Sequence, residues 1–145
     1  NLLLDMGPME DGTIPAEQVN VLKELGAWNK RNGEAIFNTI GGIPQGHFYG
    51  PTTLSKDSTT LYLFLHGKTS GPVMVKGLDN KIKSVEVLGN GTKLTSKVVG
   101  KISWSPVPGL VYINVPATTL DTYITVLKVK LDKPIKLYRG KGGLG

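Results

Sequence analysis

Cysteine is absent from the 145 residues, which excludes disulfides, zinc–thiolate sites and thiol catalysis within the chain and leaves its compartment open. Arginine is nearly absent. Arg31 and Arg139 stand alone, and lysine supplies the rest of the 17 basic residues. Base readout and bidentate phosphate recognition draw on arginine forks, so no nucleic-acid partner is expected. Histidine is scarce as well. His47 and His66 fall on different expected strands without the Cys, His or Asp spacing of a metal site, and neither a metal nor another cofactor is expected. No apolar run approaches the ~18–20 residues that span a bilayer, so membrane insertion is not expected. No Gly-x-Ser-x-Gly elbow occurs. The glycines from Gly140 to Gly143 lack the spacing and following helix of a phosphate loop.

What remains is the composition of an ordinary globular domain, 39% hydrophobic and 19% charged. Its net charge of +6 is uneven. Residues 1–50 carry three basic and six acidic side chains, net −3, whereas residues 51–145 carry fourteen and five, net +9. This shift supports a boundary near residue 50. A basic half could attract anionic glycans or surfaces. Its lysines fall mostly on alternate strand positions, however, which favours a solvated sheet face.

One helix is expected, over residues 15–32. Pro15 suits its first turn, Thr13 is a candidate cap, and Glu17, Lys30 and Arg31 match the helix dipole. Val19, Leu22, Leu25, Gly26 and Trp28 supply its apolar stripe, and Asn32-Gly33 reads as a left-handed stop. Beyond Gly33 the pattern is that of strands. Thr59–His66 is apolar on both faces and predicts a central strand. Ile82–Leu88 is followed by Asn90-Gly91, a strong hairpin signal. Lys93–Trp104 predicts one long strand with Leu94, Val98, Ile102 and Trp104 inward. Leu110–Val115 and Thr122–Leu131 follow, the latter with Tyr123, Leu127, Val129 and Leu131 on one face. Ile135–Tyr138 is a short last strand, and Val73–Lys76 and His47–Tyr49 are two further candidates. The tail from Gly140 to Gly145 is expected to fray. Short strands punctuated by Gly, Pro and Asn turns predict an antiparallel sandwich.

Four strings carry more information than composition does: Asn1-Leu2-Leu3-Leu4-Asp5, Gly7-Pro8, Asp11-Gly12-Thr13-Ile14-Pro15 and Gly33-Glu34-Ala35-Ile36-Phe37. Together they resemble the end of the catalytic barrel in α-L-fucosidases of glycoside hydrolase family 29. Asp5 stands where that family usually has Asn, and Phe37 where it has Tyr. The stretch from Gly41 to Asp57, with Gly46-His47-Phe48-Tyr49-Gly50-Pro51 at its centre, resembles a subgroup of the same enzymes. So do Val98-Val99-Gly100-Lys101 and Trp104-Ser105-Pro106.

The resemblance implies a mainly β chain: an antiparallel β-sandwich preceded by one strand and one helix left from a (β/α)8-type barrel. Residues 1–40 would be the last strand and helix of the barrel, and residues 41–145 the C-terminal sandwich. Three consecutive leucines suit a strand buried on both faces, and the absence of an initiator Met agrees with a preceding segment. The implied activity is release of terminal α-L-fucose with retention, which needs two carboxyl groups about 5–5.5 Å apart. Neither matches a position here, so both are expected upstream and this chain alone is expected to be inactive. The implied partners are the upstream barrel and a fucosylated glycan, and the implied location is periplasmic or extracellular.

Within the chain, Asp5 at the strand end is the candidate to approach substrate, set against a strand-end residue bonded to backbone. Glu10-Asp11-Gly12 reads as a polar turn, and Glu34 as a helix-end packing residue. Asn90-Gly91-Thr92 fits a glycosylation sequon, but the hairpin already explains it. Trp104, Tyr112 and Tyr123 fall on apolar faces, which favours core packing over sugar stacking. That weighs against the alternative reading, a non-catalytic carbohydrate-binding sandwich.

Overall fold

Leu61, Leu63 and Leu65 alternate with Tyr62 and Phe64, and the two sets face opposite ways in the computed structural model, which describes residues 3–67 and 71–140. The strand that carries them, β3 (Thr60–His66), lies inside a six-stranded antiparallel sheet. The other strands of that sheet are β1 (Thr39–Gly41), β2 (Thr52–Ser55), β5 (Ile82–Val87), β6 (Lys93–Leu94) and β9 (Ile124–Leu131). Their order is β1-β2-β3-β9-β5-β6. A three-stranded sheet covers one face, ordered β4 (Val73–Lys76), β8 (Leu110–Ile113) and β7 (Ser96–Val99). The chain is thus the expected mainly β sandwich with one helix.

The core lies between the sheets. β3 pairs with β9 along its length, setting Leu61 opposite Val129 and Leu63 opposite Leu127. These side chains, with Val85 and Val87, meet Val73, Val75, Val111 and Ile113 of the smaller sheet. Period-two alternation delivers this directly, because one face of each strand must leave water. The Asn90-Gly91 hairpin forms as expected: Gly91 takes a φ of 72° and β5 pairs with β6.

The helix α1 spans Ala16–Asn32 and packs on the outer face of the large sheet, where Trp28 joins Tyr62, Val126 and Ala35. Trp28 Nε1 donates to the Ile124 carbonyl at 2.9 Å. Arg31 meets Asp121 at 3.0 Å, and Tyr123 donates to Glu24. Only Trp28 and Asn32 of α1 are buried. Leu25 of the expected stripe is 39% exposed and its neighbour Val21 60%.

Several local expectations are corrected. Leu3, Leu4 and Asp5 pair with no strand; Asn1 and Leu2 lie outside the described residues, as do residues 141–145 of the expected frayed tail. Pro15 caps α1 without a side-chain bond, while Thr13 bonds to Asp11 instead. Gly33 is right-handed and the chain continues as a 3₁₀ turn, Gly33–Ala35; Asn38 takes the left-handed position. The long strand over 93–104 breaks at Thr95, so β6 joins the large sheet and β7 the small one. It ends at Val99, leaving Trp104 84% exposed and Val98, at an uncovered edge, 53% exposed. Tyr123 precedes β9 and is 51% exposed. Ile135–Tyr138 makes only a single bridge, Leu78 with Leu137, because Asn80 takes the place of a ladder. Its amide donates to the Lys133 and Pro134 carbonyls, and its Oδ1 accepts from Lys136 N–H at 2.6 Å. His47–Tyr49 is a loop.

Candidate functional site

The acidic residues before the helix come first, because the sequence singles them out. Asp5 is exposed on irregular backbone. Asp11 accepts from the Thr13 amide at 3.0 Å and from its hydroxyl at 2.7 Å, and these bonds hold its carboxyl below the ordinary range. Glu10-Asp11-Gly12 is therefore the polar turn expected, closed by Gly12 N–H donating to the Met9 carbonyl.

Glu34 is more than a packing residue. It accepts from the Tyr62 hydroxyl at 2.7 Å and pairs with Lys128 of β9, linking the 3₁₀ turn to two central strands. Burial pushes the Glu34 carboxyl up, but the bonds from Lys128 and Tyr62 outweigh it and leave it below its ordinary value. Burial, followed by the Glu34 carboxylate, drives the Tyr62 phenol well above its usual range. Lys128 also faces Glu86 at 4.0 Å, and Glu86 is held by Lys93. Each carboxylate here has a cationic partner, which suits a structural cross-link between layers more than proton transfer to a substrate.

The two histidines stay apart. His66 is exposed at the end of β3, opposite Ile124. His47 lies in the loop from Ile43 to Pro51, which bounds a cleft of ≈ 710 Å³ together with Met74 and Lys76 of β4. The loop is fastened on three sides. Ile43 N–H donates to Thr52 Oγ1 at 2.9 Å, and Phe64 N–H to the Pro51 carbonyl at 3.0 Å. Lys76 N–H donates to the His47 carbonyl and the His47 ring Nδ1 bonds the Lys76 carbonyl, both at 2.8 Å. Gly77 is needed beneath the ring: its φ is 68°, and a Cβ would lie 3.1 Å from the imidazole. Phe48 is buried, while Tyr49 beside it is 65% exposed, with ring centroids 4.5 Å apart.

Four aromatics among the described residues are thus open to solvent: Phe37, Tyr49, Trp104 and Tyr123. The expectation that Trp104 and Tyr123 pack inward is corrected, and with it the objection to a sugar-binding role. Tyr112 is half-buried. Asn90 of the sequon is engaged, its Oδ1 accepting from Thr92 N–H and its amide donating to the Thr119 carbonyl. Among the described residues no group of three or more His, Asp or Glu is placed to hold a metal, and no helix is long and apolar enough to cross a membrane. A shallow apolar groove of ≈ 270 Å³ runs between α1 and the start of β9, lined by Val21, Leu25, Trp28 and Tyr123. Leu3, Leu4, Met9 and Ile14, in the segment before α1, are likewise exposed.

Known proteins converge on one family. A family profile described as Alpha-L-fucosidase matches residues 1–34. Plasma alpha-L-fucosidase of Pongo abelii is 35% identical over 101 residues, covering 65% of this chain and 22% of that protein. The Homo sapiens protein is 34% identical over 100 residues, covering 65% and 21%. The chain therefore spans about a fifth of the length of these curated relatives. Alpha-L-fucosidase isoenzyme 1 from Paenibacillus thiaminolyticus superposes with a TM-score of 0.74 at 28% identity, over 92% of this chain and 31% of that one. The Thermotoga maritima alpha-fucosidase, solved in complex with a mechanism-based inhibitor, gives 0.64 at 27%, over 90% and 30%. Through the profile at its start and the fold shared along its length, the chain is similar to α-L-fucosidases.

Proposed function

We propose that the chain is the C-terminal part of a retaining exo-α-L-fucosidase, and that the whole enzyme releases terminal α-L-fucose from glycans through a covalent glycosyl-enzyme intermediate. Residues 1–40 complete the catalytic barrel, and residues 41–145 form the sandwich that buttresses it. The observation that carries this reading is the apolar surface of Leu3, Leu4, Met9, Ile14, Val21 and Leu25, open to solvent beside a well-packed sandwich. Such a surface suits burial against another domain. Nucleophile and acid/base belong to the barrel, because Asp11, Glu34 and Glu86 here are committed to a turn or to cross-links. Asp5, next to the leucines, lies near the substrate pocket once the barrel is assembled. The enzyme works in the periplasm or outside the cell.

The test is turnover of an aryl α-L-fucoside by the pure 145-residue chain and by the full-length enzyme. The chain alone should release nothing, and the full-length enzyme should release fucose with retained anomeric configuration. Release by the chain that survives repurification and vanishes in Asp5→Asn would overturn the assignment of chemistry to the barrel. A second reading, a carbohydrate-binding sandwich, gains support from the exposed Tyr49 and Trp104.

A further inference from the structure

We propose that the cleft between the Ile43–Pro51 loop and the end of β4 is a non-catalytic binding site for one pyranose unit of a neutral glycan, with Tyr49 as the stacking platform. This locates the second reading at a defined place, and it is independent of which domain carries the hydrolytic chemistry.

Size is the first argument. At ≈ 710 Å³ the cleft falls within the ~300–1,000 Å³ of small-molecule sites. Tyr49 is the second. An aromatic ring 65% exposed at the rim of a cleft presents a flat apolar face that suits the C–H face of a sugar. Phe48 packs behind it at 4.5 Å and is itself buried, so the platform has a firm backing. Gly50 permits this packing, since a Cβ there would meet the Phe64 carbonyl at 2.5 Å and the Phe48 ring at 2.9 Å.

Preorganisation is the third argument. The loop is tied to β2, β3 and β4 by the bonds from Ile43, Phe64, His47 and Lys76. Binding therefore costs little loop ordering. The His47 ring is oriented by two features at once, the Lys76 carbonyl on Nδ1 and the room left by Gly77. In the neutral ring that bond places the proton on Nδ1 and leaves Nε2 as a fixed acceptor for a sugar hydroxyl. Gln45 also lines the cleft and brings both donor and acceptor capacity.

Charge is the fourth. Among the described residues Lys76 is the only charged side chain lining the cleft, and a lone lysine without an arginine fork favours a neutral ligand. A second cavity has a different character, with Lys81, Lys97, Lys101 and Lys133 beside Asp79 and Asp132.

The test is titration of the isotopically labelled 145-residue chain with 2′-fucosyllactose, lactose and cellotriose, following amide and histidine-ring resonances. At least one glycan should shift His47, Tyr49 and Lys76 together, with a dissociation constant in the millimolar range. Tyr49→Ala should weaken binding about tenfold, the equivalent of about 1.4 kcal/mol, and Tyr49→Phe should retain it. Because Tyr49 is exposed, its variants should keep the parent spectrum elsewhere. Gly77→Ala, which displaces the ring, should weaken binding as well. No shift with any of the three glycans, shifts centred on Trp104 instead, or equal affinity in Tyr49→Ala would each overturn the assignment. None of these results depends on whether the full-length enzyme releases fucose.

Discussion

Leu127 and Val98 are both apolar strand residues, yet they should behave oppositely. Leu127 is fully buried between the sheets, and Leu127→Ala should cost about 2–5 kcal/mol in denaturant unfolding. Val98 is 53% exposed on the edge strand β7, and Val98→Ala should stay within about 0.5 kcal/mol. Gly77→Ala should cost about 1–2 kcal/mol from its left-handed backbone alone, and a melt lowered by the ring contact beyond that would confirm the seat beneath His47. Glu34 gives a pH signature. Its folded carboxyl lies below the ordinary glutamate value of 4.5, so its contribution is complete above that value and is lost as pH falls through the folded one. Between about pH 5 and about pH 3 the wild type should therefore lose more stability than Glu34→Gln, measured by urea midpoints at each pH.

At the scale of elements, the helix–sheet contact should come apart before the sandwich does. α1 is held through Trp28, Arg31 and the 3₁₀ turn, while Val21 and Leu25 toward its middle face water. Trp28→Ala should raise amide exchange throughout α1 while leaving β3 and β9 protected, because the inner face of the sheet is untouched. Equal loss of protection in β3 would mean that the helix is part of the core nucleus. The same elements show what a sequence can and cannot reveal. β3, β4, β8 and β9 were legible because each alternates a buried face, and the hairpin because Asn-Gly has few other uses. Trp104 and Tyr123 were misread because alternation was extended past the ends of β7 and β9. The role of Asn80 was hidden from a local reading, since its bonds reach across to Lys133, Pro134 and Lys136. The cleft was hidden for the same reason: its central bond joins His47 to Lys76, 29 residues away. The glycines and prolines between Gly41 and Pro51 were the local sign of a shaped loop. The helix boundary was legible, but its left-handed stop was not, since Glu34 draws the chain onward to Tyr62.

On the scale of the whole molecule, an exposed apolar surface and a net charge of +6 oppose one another. Charge repulsion keeps copies apart at low salt. Raising ionic strength from about 0.01 M to about 0.15 M shortens the screening length from about 30 Å to about 8 Å and exposes the apolar attraction. Sedimentation should then show larger species of the 145-residue chain at the higher salt, and Val21→Glu should restore the monomer. A monomer under both conditions would show that the surface is too small or too dispersed to drive association on its own.

The anchors between helix and sheet also have a mechanical meaning. By sequence, the 3₁₀ turn leads into β1, a three-residue strand at the sheet's edge, where a pull would peel hydrogen bonds one after another. The side chains route load differently. Trp28 to Ile124, and Glu34 to Tyr62 and Lys128, join the helix to the two middle strands, which resist displacement in shear over their whole shared length. A body gripping the outer side of the helix is therefore coupled to the stiffest part of the sandwich, and its tilt relative to the loop that bears Tyr49 is set by a lever only a few bonds long.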